Sequence, residues 1–200
     1  SDALCEGFKK IGDYDFDSDV SVNILGHIFE QSISDLEELK AHAENVEEVS
    51  KNQSKRKKDG IFYTPAYITR YIVEQAVGGW LNDRREELGI NTLPVLEDAD
   101  YDSIKVIERG QRKGQITYNK KIEKHIQTWE AYKEALSKIK VLDPACGSGA
   151  FLNEVFDYLK NEGEAVNSQL ALLKGEQTTL FRWDTHILAN NIYGVDLNSE

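Results

Sequence analysis

The sequence is poor in the features that define several large classes of protein. It has only two cysteines, Cys5 and Cys146, far apart and outside any metal-ligand spacing. Neither a disulfide framework nor a bound metal is expected, and a reducing compartment is the plain reading. No run of about 18 apolar residues occurs, so no membrane-spanning helix is expected. The opening "SDALCEGFKK" has no basic start and no apolar core, so no secretion signal is expected. Proline occurs three times, at Pro65, Pro94 and Pro144, and none is followed by another. Excess positive charge is missing too: the formal net charge is −11. A chain that grips nucleic acid unaided is usually basic, so most of any such surface is expected elsewhere. What remains is 200 residues, 40% hydrophobic and 30% charged, enough for one large domain or two small ones with a sizeable core.

Four stretches can be told apart. Residues 1–50 read as a helical region. Ile24, Ile28, Ile33, Leu36, Leu39 and Val46 fall near helical spacing, and two helices fit, one over Val20–Ser32 and one capped by Ser34 with acids in its first turn. Residues 51–60 are a polar, basic linker. Lys55, Arg56, Lys57 and Lys58 are candidate DNA phosphate contacts there, and a solvated loop is the alternative. Residues 61–139 form a second helical region. Thr64 can cap a helix beginning at Pro65, with Ile68, Ile72, Val73, Ala76 and Val77 as its apolar stripe and Gly78-Gly79 weakening or ending it. A poorly patterned stretch with room for a small hairpin follows. "KKIEKHIQTWEAYKEALSKI" is amphipathic again, and His125 reads as a surface helix residue.

Residues 140–200 change character. "KVLD" reads as a strand, "PACGSG" as a loop and "AFLNEVFDYLKN" as a helix. A variable segment follows over 162–179, then a helical "WDTHILANN" and a strand, "IYGVDLN". Strand, loop, helix, helix, strand is how a doubly wound α/β sheet begins. The fold class is therefore mixed: a mainly α-helical N-terminal part, then the beginning of a Rossmann-like α/β domain. In such sheets ligands lie beyond the carboxyl ends of the strands. Gly147 and Gly149 leave backbone bare for a ligand, and Asp143 supplies an acceptor. The third glycine of a dinucleotide loop is replaced by Leu152, and no Gly-Lys-Ser/Thr occurs, so both phosphate-binding readings fall. Asp196 suits the two hydroxyls of a ribose. An adenosine ligand without a pyrophosphate fits, namely S-adenosylmethionine (SAM).

"VLDPACGSGAFL" resembles motif I of the N6-adenine DNA methyltransferases of the gamma arrangement. "NNIYGVDLN" is similar to their motif II, and "DGIFYTPAYITRYIV" to their motif X. "ILGHIFEQSI" is similar to the helical region before motif X in large single-chain restriction–modification enzymes (type IIG-like, Eco57I-like). The resemblance implies a cofactor, SAM, and roles for particular residues. Tyr63, Thr64 and Pro65 would pack over its methionine end. Asp143, Pro144, Ala145, Cys146, Gly147 and Gly149 would hold its amino-acid portion. Asp196 would bind the ribose, and Leu197 would lie near the adenine. It also implies double-stranded DNA as partner, through a longer parent chain, and a bacterial or archaeal cytoplasm.

The resemblance stops short of catalysis. An adenine amino group is a poor nucleophile, so the base must be flipped out and its N6 held by acceptors. The family does this with Asn/Asp-Pro-Pro-Tyr/Phe, which needs two adjacent prolines, and none exist here. No catalytic residue is therefore assigned. The chain reaches Glu200 just after motif II, so it reads as part of a longer protein and is expected to transfer no methyl group alone. A methyltransferase acting on RNA or a protein amide, or a non-catalytic helical interaction module, are the other readings.

Overall fold

The fold is described from a computed structural model, over residues 64–174 and 181–196 and at twelve isolated positions before them (Cys5, Glu6, Lys9, Lys10, Gly12, Ile24, Gly26, Ile28, Gln31, Ser32, Asp35 and Leu39). All twelve are helical. Ile24, Ile28 and Leu39 are exposed, since an apolar stripe says which face is greasy and not what covers it. In order come α1 (Ala66–Val73), a π-helical turn (Glu74–Gly78), α2 (Gly79–Glu87), a 3-10 turn (Ile90–Thr92) and α3 (Asp98–Asp102). The hairpin strands β1 (Lys105–Val106) and β2 (Ile116–Thr117) precede α4 (Lys120–Lys138) and β3 (Val141–Asp143). Last are α5 (Ala150–Lys174), α6 (Trp183–Asn190) and β4 (Ile192–Gly194). The chain divides into two compact units. One holds Ser1–Tyr71, Asp143–Leu152 and Gly194–Glu200, and the other Ile72–Leu142 and Asn153–Tyr193.

The second unit carries most of the core. α4 is amphipathic and opens on Asn119, whose side chain accepts from the Ile122 N–H. It buries Ile122, Tyr132 and Leu136. α5 buries Val155, Leu159, Gly163, Val166, Leu170 and Leu173, a spacing of three and four that keeps one face inward. The segment read as variable from residue 162 is therefore helical to Lys174. Gly78-Gly79 does not end its helix either. The chain passes through a π turn, and Val73, Val77 and Leu81 are buried at intervals of four. That spacing is wider than an α turn, and the π turn takes up part of the difference. His125 is buried, correcting its reading as a surface residue. Its Nε2 lies 2.8 Å from the Pro94 carbonyl oxygen, which partners one ring nitrogen inside the core, while Nδ1 is buried with no partner among the described residues.

Asn191 joins helix to strand in the same unit. It is fully buried, and its Nδ2 donates to the carbonyls of Leu136, Ser137 and Ile139 at 3.4, 3.1 and 2.7 Å. These are carbonyls at and beyond the end of α4, which lack helical donors. β3 and β4 form a two-stranded sheet. The Val141 N–H donates to Asn191 O, and the Val195 N–H to Asp143 O. The bonds advance the same way along both strands, which makes the pair parallel.

A charged group sits against the core. The Tyr132 hydroxyl donates to Glu162 Oε1 at 2.8 Å. Arg85 pairs with the same oxygen and lies over the Tyr132 ring, 5.4 Å from its centroid. Burial first, and then the Glu162 carboxylate, raise the Tyr132 pKa well above its ordinary 10.0, with Arg85 working the other way. A group raised on folding adds stability that is complete below its unfolded value and fades as pH climbs toward the folded one. Tyr132→Phe should therefore flatten the loss of stability above pH 10.0. It should cost about 1 kcal/mol at neutral pH, one hydrogen bond. Urea midpoints on both sides of that pH check it, and an equally steep alkaline decline in the variant would show that Tyr132 is not its source.

Candidate functional site

The loop between β3 and α5 is built by local contacts within the first unit. Asp143 closes β3. Its Oδ1 accepts from the Ala145 N–H at 3.0 Å, folding the chain back at Pro144. The Cys146 N–H donates to Val195 O at 2.9 Å, and the Gly149 N–H to Cys146 O at 2.7 Å. The loop is thus hydrogen-bonded both to itself and to the residue after β4. Gly147 and Gly149 have φ of 49° and 82°, left-handed values that favour glycine. A Cβ on Gly147 would meet nothing within 4 Å, so its surroundings are open and its conformation is what selects glycine. Pro144, Ala145 and Ser148 are exposed, and Cys146 is half-buried.

Asp143 carries the main anomaly. Its Oδ2 is buried and has no hydrogen-bond partner among the described residues. Buried polar atoms are nearly always partnered, and leaving a charged one bare costs about 1–3 kcal/mol or more. An oxygen held in this way, beside backbone that side chains have vacated, is an acceptor waiting for a donor. That acceptor suits a small ligand with an ammonium or hydroxyl group. Among the described residues, no group of three or more His, Cys, Asp or Glu is arranged to hold a metal ion.

Gly194 is a further residue that shapes this loop. A Cβ there would lie 2.8 Å from Leu152 Cδ1 and 2.9 Å from Cys146 Sγ. Only a glycine lets the loop and the start of α5 close onto β4. A glycine inside a short strand was the available signal. Asp196 lies exposed just past β4, in the same unit as the loop. Thr64 and Pro65 belong to that unit too. The Pro65 carbonyl accepts from the Thr69 N–H at 3.2 Å, so Pro65 stands at the cap position expected of Thr64, and Ala66 begins the helix. Tyr63 and Leu197, and the basic residues Lys55, Arg56, Lys57 and Lys58, lie outside the described residues. Among the described residues, no helix is long and apolar enough to cross a membrane.

No solved structure matches the chain. A Methanocaldococcus jannaschii protein described as a type II restriction enzyme and methyltransferase is 27% identical over 180 residues. The match takes in 90% of this chain and 13% of that protein, so the chain spans a small part of the relative's length. Residues 119–199, from the cap of α4 through the loop and past β4, match the DNA-methyltransferase domain of MmeI.

Proposed function

We propose that the chain carries the first part of a SAM site in a restriction–modification DNA methyltransferase, of the type IIG-like, gamma arrangement, acting on adenine N6 of double-stranded DNA. One observation carries this reading: the buried, unpartnered Asp143 Oδ2 beside an open glycine loop, inside the span that matches a DNA-methyltransferase domain. The parallel pairing of β3 with β4 across α5 and α6 supports a Rossmann-like sheet.

In this reading Asp143 accepts from the ammonium of the ligand's amino-acid end. Gly147 and Gly149 admit that end against backbone. Asp196 accepts from the ribose hydroxyls, Leu197 borders the adenine, and Tyr63, Thr64 and Pro65 cover the methionine side. Bound SAM supplies an electrophilic methyl group on a sulfonium sulfur. The chain's own residues hold and orient it, and the acceptors that position the target amino group come from outside this sequence.

The test is photolabelling of the chain by radioactive SAM. Labelling is expected to be displaced by S-adenosylhomocysteine and to persist in excess NAD. Equal displacement by NAD would overturn the reading, because it would return the loop to the dinucleotide class.

A further inference from the structure

We infer that the β1–β2 hairpin is a contact surface for the phosphates of duplex DNA. The inference rests on the proposed DNA substrate and assigns it a place on this chain. Between residues 104 and 124 the sequence has seven Lys or Arg against two Glu, a local balance of +5 in a chain of −11. Lys105, Arg109, Arg112, Lys113, Lys120 and Lys124 are all exposed. None of the six has a carboxylate partner among the described residues. The seventh cation, Lys121, is held by Asp100 at 3.1 Å.

The hairpin has a fixed base and a cationic tip. At the base, Asp100 accepts from the Asn119 side chain at 2.8 Å, from Lys121 and from the Glu97 N–H at 3.0 Å. Lys105 pairs with Thr117 and Val106 with Ile116. Beyond them the Ile107 N–H donates to Gln115 O, and the Gly114 N–H to Ile107 O. The seven residues from Glu108 to Gly114 make the tip, turning through Gly110 and Gly114 at φ of 89° and 88°. Around both glycines a Cβ would meet nothing within 4 Å, and the tip residues Glu108 to Gly114 are exposed.

Stability does not account for this composition. A lone two-stranded hairpin gains little in water, and Val106 is half exposed. Lysines at the start of α4 work against its dipole. The four unpaired cations of the hairpin, followed by Lys120 and Lys124 at the start of α4, repel one another, and a polyanion relieves that repulsion. A two-stranded ribbon also has the width of the DNA major groove. Arg109, Arg112 and Lys113 sit at the tip, where backbone phosphates would be reached first.

The test uses the full chain and a short labelled DNA duplex, titrated across salt concentrations. Each phosphate contact contributes a slope of about 0.9 in log affinity against log salt. Arg109→Gln, Arg112→Gln and Lys113→Gln together should lower the slope by about 2–3. Lys10→Gln, Lys138→Gln and Lys160→Gln together change the net charge equally at other sites and should leave it unchanged. Equal slopes for the hairpin variant and the wild type would overturn the inference, as would a larger loss on single-stranded RNA than on the duplex. SAM photolabelling of the same variant separates the two proposals. Normal labelling with an unchanged slope removes the hairpin alone. NAD-sensitive labelling with a lowered slope removes the methyltransferase reading alone.

Discussion

Gly163→Val should lower the thermal midpoint of the protein by about 6–12 °C, the result of about 3 kcal/mol of overpacking at roughly 2–4 °C per kcal/mol for a chain of this size. Gly163 lies in the middle of α5, where glycine costs about 0.5–1 kcal/mol relative to alanine. It is tolerated because the Trp183 indole occupies the place of a side chain. A Cβ at Gly163 would lie 2.6 Å from Trp183 Cδ1, and the ring atoms Cγ and Cδ2 would be closer still. Trp183 cannot easily retreat. It is almost fully buried, and Phe181 and His186 stand edge-on to it with centroids 4.6 and 6.1 Å away. Valine adds two methyl groups beyond the clashing Cβ, so relief requires α5 and α6 to separate. Gly163→Ala should cost less, since its gain in helix propensity offsets part of the clash. Thermal melts and urea midpoints of both variants measure the effect. An unchanged midpoint for valine would mean that the indole finds another seat and that the close approach is not required.

The same glycine shows what local sequence can and cannot reveal. Gly163 follows a polar run, and Gly78-Gly79 follows a short apolar stripe. Both look like helix ends, and both lie inside helices. Each faces an aromatic ring distant in sequence: Gly163 faces Trp183, and a Cβ on Gly78 would meet the Tyr158 hydroxyl at 2.6 Å. Nothing within a helical turn of either glycine announces that partner. Val166, Leu170 and Leu173 did continue the spacing of Val155 and Leu159, and that signal outweighs a single glycine. α4 was legible because its apolar period runs unbroken for five turns. The burial of His125 does not show in the sequence around it, because its polar partner is one carbonyl, that of Pro94, 31 residues away.

The loop divides along the same line. Gly147 and Gly149 need left-handed backbone, and Asp143 bonds its own neighbour Ala145, so these features are local and show in "LDPACGSG". Gly194 owes its identity to Cys146 and Leu152, more than 40 residues earlier, and so passed as an ordinary strand residue. The hairpin is a third case. Its four cations, Lys105, Arg109, Arg112 and Lys113, are plain in the sequence, yet they follow no period. Only the paired strands gather them onto one ribbon. The free oxygen of Asp143 could not be read from the sequence either, since it depends on what the fold leaves out around it.

Asp196→Ala should weaken SAM binding roughly tenfold to 150-fold, or about 1.5–3 kcal/mol for the loss of hydrogen bonds to a charged acceptor. The size follows from geometry of a simple kind. A carboxylate has two oxygens and can serve two adjacent hydroxyls at once, and alanine serves neither. Asp196→Asn keeps one acceptor and should fall between the two. Asp196 is exposed and lies past the end of β4, so its removal leaves the core of either unit intact, and the loss should appear in binding far more than in the thermal midpoint. That separates it from Gly163→Val, which acts on the midpoint. Asp143→Ala offers the matching comparison. It removes the Ala145 bond that shapes the loop and also the buried oxygen that costs stability when bare, so affinity should fall while the two effects on stability oppose each other. Equilibrium dialysis with labelled SAM, alongside thermal melts, checks the three variants. Unchanged affinity in Asp196→Ala would take Asp196 out of the site and leave the loop to bind a ligand without a ribose.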